Sequence, residues 1–308
     1  MGKIYQKYIN EFSCLAGECP DTCCAGWQIY IDGQSAKDYL ADNGEIGCTA
    51  RKYMRGKPDN SRLALVDKRC PFLTEDNLCR IVQLKGQHAL STVCSMHPRF
   101  VHPLFEDEFI FLSLSCPRAV SIFFSAIKNG GVHYGYEDLK NPYLSQFLEY
   151  VSEICEQLRR KNTVIDEYLT HCDTSRFSAL VSDIFARCEY LEKQTGSALK
   201  NFDVAGFIAG YNKLEGEYGT DAFCDLFRYY ALTLYDEKSP VLPVAYLFTV
   251  ATCYLVSVFS DEEKAVYKFV KETEHSAKNI RSAIRIMRSP KAENIMSDLA
   301  LFNLLYSK

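Results

Sequence analysis

The sequence predicts a mainly α protein, α+β at most, in which a loop-rich, cysteine-dense N-terminal region packs on an α-helical C-terminal domain. Three observations carry this. Nine of the 14 cysteines fall within the first 116 residues, among closely spaced glycines and prolines. From about residue 117 the pattern changes, and apolar residues recur at the three- and four-residue spacing of amphipathic helices. Residues 241–259 carry no charge at all, as expected of a helix at the centre of a bundle. The boundary is placed at 118/119, giving a cysteine-rich metal-binding region (1–118) and a helical domain (119–308).

In chain order, 27–31 alternates as a short strand, 32–40 is a short helix, and 80–90 is a helix interrupted at Gly86. A second buried strand spans 108–112. A region with so few regular elements struggles to bury a core of its own, and a metal crosslink supplies the missing folding energy. Helices follow at 117–129, 142–161, 175–193 and 221–236, several opening on a start signal (Pro117, Pro142, Ser175, Thr220). The stretches 261–288 and 290–306 read the same way. Length alone would let 241–259 cross a bilayer. Pro243, two threonines and the lack of any companion span make it a core helix instead.

Hydrophobic residues make up 47% of the chain and charged residues 24%, with a net charge of −4. These are ordinary values for a globular protein, and nothing global draws the chain to nucleic acid or to an anionic membrane. The first residues alternate apolar and polar and lack the continuous apolar run of an export signal, so a cytoplasmic location is expected. In a reducing compartment, dense thiols bind metal or do chemistry rather than form disulfides.

The thiols fall into recognisable pieces. Cys14, Cys19, Cys23 and Cys24 lie within eleven residues, with Gly17 and Pro20 permitting tight turns between them. Cys70-Pro71-Phe72-Leu73, Leu78-Cys79-Arg80-Ile81, Cys94 just before His97-Pro98-Arg99, and Cys116-Pro117 complete the set. Soft thiolates select iron–sulfur clusters, zinc or copper(I) over hard ions. Cys-Pro pairs in loops favour an iron–sulfur cluster, and paired Cys-x2-Cys zinc knuckles are missing. Cys14, Cys19, Cys23, Cys24, Cys70, Cys79, Cys94 and Cys116 are therefore the metal-ligand candidates, four of them expected as direct ligands. The cofactor is read as a cluster of the 4Fe-4S type, with zinc as the alternative. Cys48 is a bystander, and the five C-terminal cysteines are core hydrophobes. His97 and His102 lie near Cys94 as candidate donors, with a solvated or hydrogen-bonded loop histidine the favoured reading. Trp27 is a candidate hydrophobic lid, and Arg99 offers a fork for a carboxylate.

The order of these pieces resembles the flagellin lysine-N-methyltransferase family, within a wider group of cysteine-cluster, zinc- or iron-chelating domains. The resemblance covers about residues 5–120 and extends to the helical remainder only in general character. It departs at His97, where an aromatic residue is usual before the Pro-Arg pair. The resemblance implies an enzyme that methylates lysines of flagellin, with S-adenosylmethionine as donor and an iron–sulfur cluster required. The residues themselves add that a glycine-rich strand-to-helix turn for the donor is missing. Any donor must then bind in another way, with Trp27 and Arg99 as candidates and one cluster iron left free of cysteine. Lysine must lose its proton before it can attack, since its ordinary pKa is about 10.4. Asp21, Tyr30 and Glu106 are conceivable bases, and the choice among them stays open. Lys278, Arg281, Arg285 and Arg288 form a basic stripe read as a solvated helix face. Two other readings are a non-catalytic zinc- or iron-binding module and an iron–sulfur electron-transfer protein.

Overall fold

In the computed structural model, residues 1–57, 61–159, 172–219, 221–236, 241–259, 261–274, 276–297, 299, 305 and 306 are described. The protein is mainly α with two small sheets, as the sequence predicts.

The N-terminal strand β1 (Lys3–Gln6) opens the chain, and the cysteine-rich lobe follows. Its elements are short: β2 (Tyr30–Ile31), α1 (Gly33–Ala41), α2 (Glu45–Tyr53), β3 (Met54–Arg55), β4 (Ser61–Leu63), α3 (Arg80–Lys85) and α4 (Thr92–Met96). Strands β2, β4 and β3 form a small antiparallel sheet in that order. Helix α1 forms where expected because Asp32 caps it, accepting from Ser35 N at 3.0 Å. The same carboxylate accepts from Thr92 N at 2.9 Å, so one side chain ties α1 to α4. These bonds hold Asp32 well below the usual carboxylate range. The helix expected over 80–90 ends at Gly86 (φ 86°), and a 3-10 turn, Gln87–Ala89, succeeds it. The expected strand at 27–31 shrinks to Tyr30–Ile31.

Strands β5 (Arg99–Leu104) and β6 (Asp107–Leu112) form a hairpin, with β6 covering the strand predicted at 108–112. Strand β1 returns to lie parallel to β6, and β7 (Tyr134–Glu137) pairs antiparallel with β1, giving the order β5-β6-β1-β7. Buried Asp107 clamps this arrangement, accepting from Gly2 N at 2.9 Å and from Lys140 N and Asn141 N at 3.1 Å.

The helical body comprises α5 (Pro117–Lys128), α6 (Pro142–Arg159), α7 (Thr174–Ala186), α8 (Lys193–Lys200), α9 (Val204–Tyr218), α10 (Ala222–Thr233), α11 (Val241–Phe259), α12 (Glu262–Thr273), α13 (Ala277–Met287) and α14 (Pro290–Met296). The single helix expected over 261–288 is two, because the chain leaves α12 after Thr273 and Ser276 caps α13 through its hydroxyl. Likewise the helix expected over 175–193 stops at Ala186, where Arg187 caps it. Parts of the expected helices 142–161 and 290–306, and the start signal at Thr220, lie outside the described residues.

Helix α11 is the axis of the body. Among the described residues it is the one helix long and apolar enough to cross a membrane, and it is almost wholly buried among its neighbours. Helix α9 crosses it at very close range, since a Cβ at Gly210 would stand 1.7 Å from the Cys253 carbonyl oxygen. Buried side chains form two clusters. The large one runs from Ile4 through the hairpin and helices to Leu305. The small one, from Ile29 to Ile81, belongs to the lobe, with Cys24, Trp27, Cys79 and Cys94 packed against it.

Candidate metal centre

The lobe's loops converge the cysteines. Cys70 N donates to Cys24 O at 2.7 Å, setting the Cys70 segment beside the Cys23-Cys24 pair. A tight turn through Asn77 (φ 56°) returns the chain so that Leu73 bridges to Cys79, and Arg80 N donates to Phe72 O at 2.8 Å. Cys94 sits on α4, held to α1 by the Asp32 bond. Cys116 is the N-cap residue of α5, where Pro117 starts the helix.

Electrostatics divides the eight thiols into two neighbouring groups. Cys70, Cys79 and Cys94 each feel the charge of Cys24. Cys116 instead feels Cys19 and Cys14, and Cys19 feels Cys14. Cys23 feels both sides, through Cys24 and Cys94 on one and Cys116 on the other. Burial dominates the titration of Cys19, Cys70, Cys79, Cys94 and Cys116, pushing Cys70 up to about 12 and Cys94 and Cys116 up to about 11. Cys23 and Cys24 are the exception. Their shared hydrogen bond raises Cys23, which burial raises further, and lowers Cys24. One thiolate of the adjacent pair is thus favoured over two.

All 14 cysteines are free of disulfides. The loops bring the thiol-bearing segments beside one another, but among the described residues no group of three or more Cys, His, Asp or Glu is set to hold a metal ion. The donor chemistry fits a soft metal or an iron–sulfur cluster: sulfur atoms from five separate chain segments, all but Cys14 at least partly buried, with Cys24, Cys70, Cys79 and Cys94 next to an apolar core. Cys48 is exposed on α2 beside Arg51, apart from either group.

The other predicted site residues take varied positions. Trp27 lies under the ammonium of Lys271, 4.8 Å from its ring centroid, and edge-on to His97 at 6.1 Å. It therefore joins the lobe to α12. Arg99 sits over the Phe12 ring at 5.1 Å and donates to the Phe12 carbonyl, so its fork faces the backbone of the Cys14 segment. His102 contacts the Tyr235 carbonyl through Nε2 at 2.9 Å. Of the conceivable bases, Tyr30 is exposed and Glu106 lies exposed in the hairpin turn. Asp21 accepts from Lys271 Nζ at 2.9 Å and Lys268 Nζ at 3.2 Å, and Lys268 also pairs with Glu192. Burial pulls Lys268 down, but the two carboxylates more than offset this and leave its pKa raised. This ion cluster fastens the Cys19–Cys23 loop to the body. Lys278, Arg281, Arg285 and Arg288 are exposed, as a solvated face requires.

One chemically loaded group escaped the sequence. Glu274, at the end of α12, accepts from the Ser113 and Tyr229 hydroxyls directly behind the loop that ends in Cys116. Burial pushes its carboxyl up to about 7, against the opposing pull of those two hydroxyls. Nothing in a Lys-Glu-Thr-Glu run at a helix end distinguishes it from a solvated acid.

Free cysteines on five chain segments, with a small apolar core beside four of them, define a cysteine-rich protein without disulfides. Comparison places it more narrowly: the chain belongs to the family of the flagellar biosynthetic protein FliU. It is 36% identical to FliU of Salmonella muenchen over 121 residues, which are 37% of this chain and 72% of that protein. It is also 36% identical over 121 residues to the lysine-N-methylases of Salmonella typhimurium and Salmonella choleraesuis, spanning only 30% of their length. No family model matches the chain, and no solved structure matches it.

Proposed function

We propose that this chain is a protein-lysine N-methyltransferase acting on flagellin, with S-adenosylmethionine as methyl donor and an iron–sulfur centre, of the 4Fe-4S type, held by the N-terminal thiols. The observation that carries the reading is the set of eight disulfide-free N-terminal cysteines in a chain related to proteins named Lysine-N-methylase.

Cys24, Cys70, Cys79 and Cys94 border the lobe's own apolar core and suit a closed centre that crosslinks its loops. Cys14, Cys19, Cys23 and Cys116 form the second group, with Cys14 exposed, and suit a more open one. A cluster held by these cysteines would supply electrophilic iron able to take amino and carboxylate groups such as those of the donor. The protein's own part is positional. Asp21, Lys268 and Lys271 fix the Cys19–Cys23 loop on the body, Trp27 shields its flank, and Pro117 holds Cys116 at a helix start. The folding pattern supports a donor site unlike that of conventional methyltransferases. The strand-to-helix passage from β6 to α5 contains no glycine, Gly130 and Gly131 follow the end of α5, and Gly206 and Gly210 serve helix packing.

The test is to reconstitute the protein anaerobically with iron and sulfide and incubate it with flagellin and S-adenosylmethionine. Methyl mass added to lysine peptides, and lost when iron is omitted, is the expected result. The second reading, a metal-binding module or electron carrier without transferase activity, is favoured by the chain's spanning only 30% of the lysine-N-methylases. A stable metal or cluster with flagellin left unmodified would establish it.

A further inference from the structure

A small cavity of about 50 Å³ opens at the junction of α10, α11, α12 and α13. Tyr229, Tyr230 and Phe248 line it on the buried side, and Thr233 and Ile280 on the partly exposed side. The carboxylate of Glu274 is the charged group on its wall. Among the described residues Glu274 has no ion-pair partner, and its hydrogen bonds come only from neutral hydroxyls. A half-buried carboxylate beside aromatic rings and lacking a cation is an arrangement that attracts an organic ammonium. At that volume, a few water-sized groups fit, enough for an ammonium and the first methylenes behind it.

We infer that this cavity receives a primary alkylammonium group, the end of a lysine side chain, with Glu274 as its carboxylate acceptor. That the ammonium belongs to a lysine rests on the methyltransferase reading above; that the pocket takes an ammonium does not. The placement suits the reaction. Ser113 Oγ, bonded to Glu274, also lies 2.7 Å from Ser115 Oγ, and Cys116 follows directly. Tyr229 Oη accepts from Leu114 N at 3.0 Å and donates to Glu274 at 2.9 Å, so the pocket wall and the Cys116 loop are one hydrogen-bonded unit. A seated ammonium would pass one proton from Nζ to a Glu274 oxygen, leaving a neutral amine with a free electron pair and a neutral carboxylic acid.

The probe is n-butylammonium, with n-butanol as its uncharged counterpart, added to the full-length chain and followed by ligand-observed NMR. Saturable butylammonium binding in the millimolar range is expected, with no competition from butanol. Glu274→Gln, which keeps the hydroxyl contacts, should weaken binding about tenfold or more. Ile280→Phe, which fills the cavity while keeping the carboxylate, should also abolish it, and circular dichroism checks that both variants fold. Absence of saturable binding to the wild type, or equal binding by either folded variant, would overturn the assignment. The two readings fail separately. Flagellin methylation with an unchanged KM in Glu274→Gln removes the pocket and keeps the transferase. Butylammonium binding without any methylation keeps the pocket and removes the transferase.

Discussion

The lobe and the helical body solve the problem of folding in opposite ways. The body buries whole helices: α11 is enclosed along nearly its full length, its own Tyr246 and Phe248 fully buried together with Phe223, Phe227 and Tyr229 of α10. Among the described residues the lobe's core cluster holds ten hydrophobic side chains, three of them no larger than cysteine (Ala36, Ala50 and Cys70). Hydrophobic burial stabilises at about 25 cal/mol per Å², and so small a core cannot offset the backbone entropy of the loops around it. The comparison teaches where the proposed metal would act on folding as well as on chemistry. The lobe has its thiols where it lacks hydrocarbon.

The largest expected effect breaks the lobe and spares the body. Cys70→Ser or Cys94→Ser should remove metal from the closed group and leave residues 20–96 sensitive to limited proteolysis, while the helical circular dichroism persists. Structural metal sites of this kind contribute on the order of 10 kcal/mol of apparent binding energy. Loss of helicity in step with loss of metal would show that the two regions do not fold separately.

The converse variant is Gly210→Ala. Its Cβ would overlap the Cys253 carbonyl, backbone against backbone, so α9 must move off α11. A loss of about 3 kcal/mol in body stability is expected from overpacking, measured by urea denaturation, with metal content unchanged.

Asp21→Ala tests the joint between the regions. It leaves Lys271, 8% exposed, and Lys268, 12% exposed, without their shared carboxylate. Breaking a fully buried pair costs about 3–5 kcal/mol. Partial solvent access reduces this to about 2 kcal/mol, and Trp27 fluorescence should change as its cation partner loosens.

Much of this was legible beforehand. Pro117, Pro142 and Asp32 start helices where such residues do, and the uncharged run 241–259 could only be a buried axis or a span. The eight thiols stand out in the sequence from their loop chemistry. Their division into two groups was not legible there, because it depends on the Cys24–Cys70 backbone bond and on Cys116 arriving from the far end of the hairpin. Nor was the sheet: β1 pairs with β6 across a hundred residues, and local pattern holds no record of so distant a partner. The break between α12 and α13 escaped because apolar spacing continues across it.

The smallest effect concerns pH. Glu274 titrates at about 7 in the folded protein against about 4.5 when unfolded. The folded state therefore holds the extra proton between these values, and the stability it contributes is full below pH 4.5 and is lost as pH rises through 7. Glu274→Gln does not titrate. Its stability relative to the wild type should climb by about 1–2 kcal/mol between pH 4.5 and 8, read from denaturation midpoints at each pH.

The most direct test of the gathered thiols is iron, zinc and sulfide analysis of the anaerobically purified chain, with thiol counting before and after chelation. Bound iron and sulfide, with alkylation of Cys24, Cys70, Cys79 and Cys94 only after the metal is stripped, is the result expected. A metal-free preparation in which those four cysteines alkylate at once would contradict it.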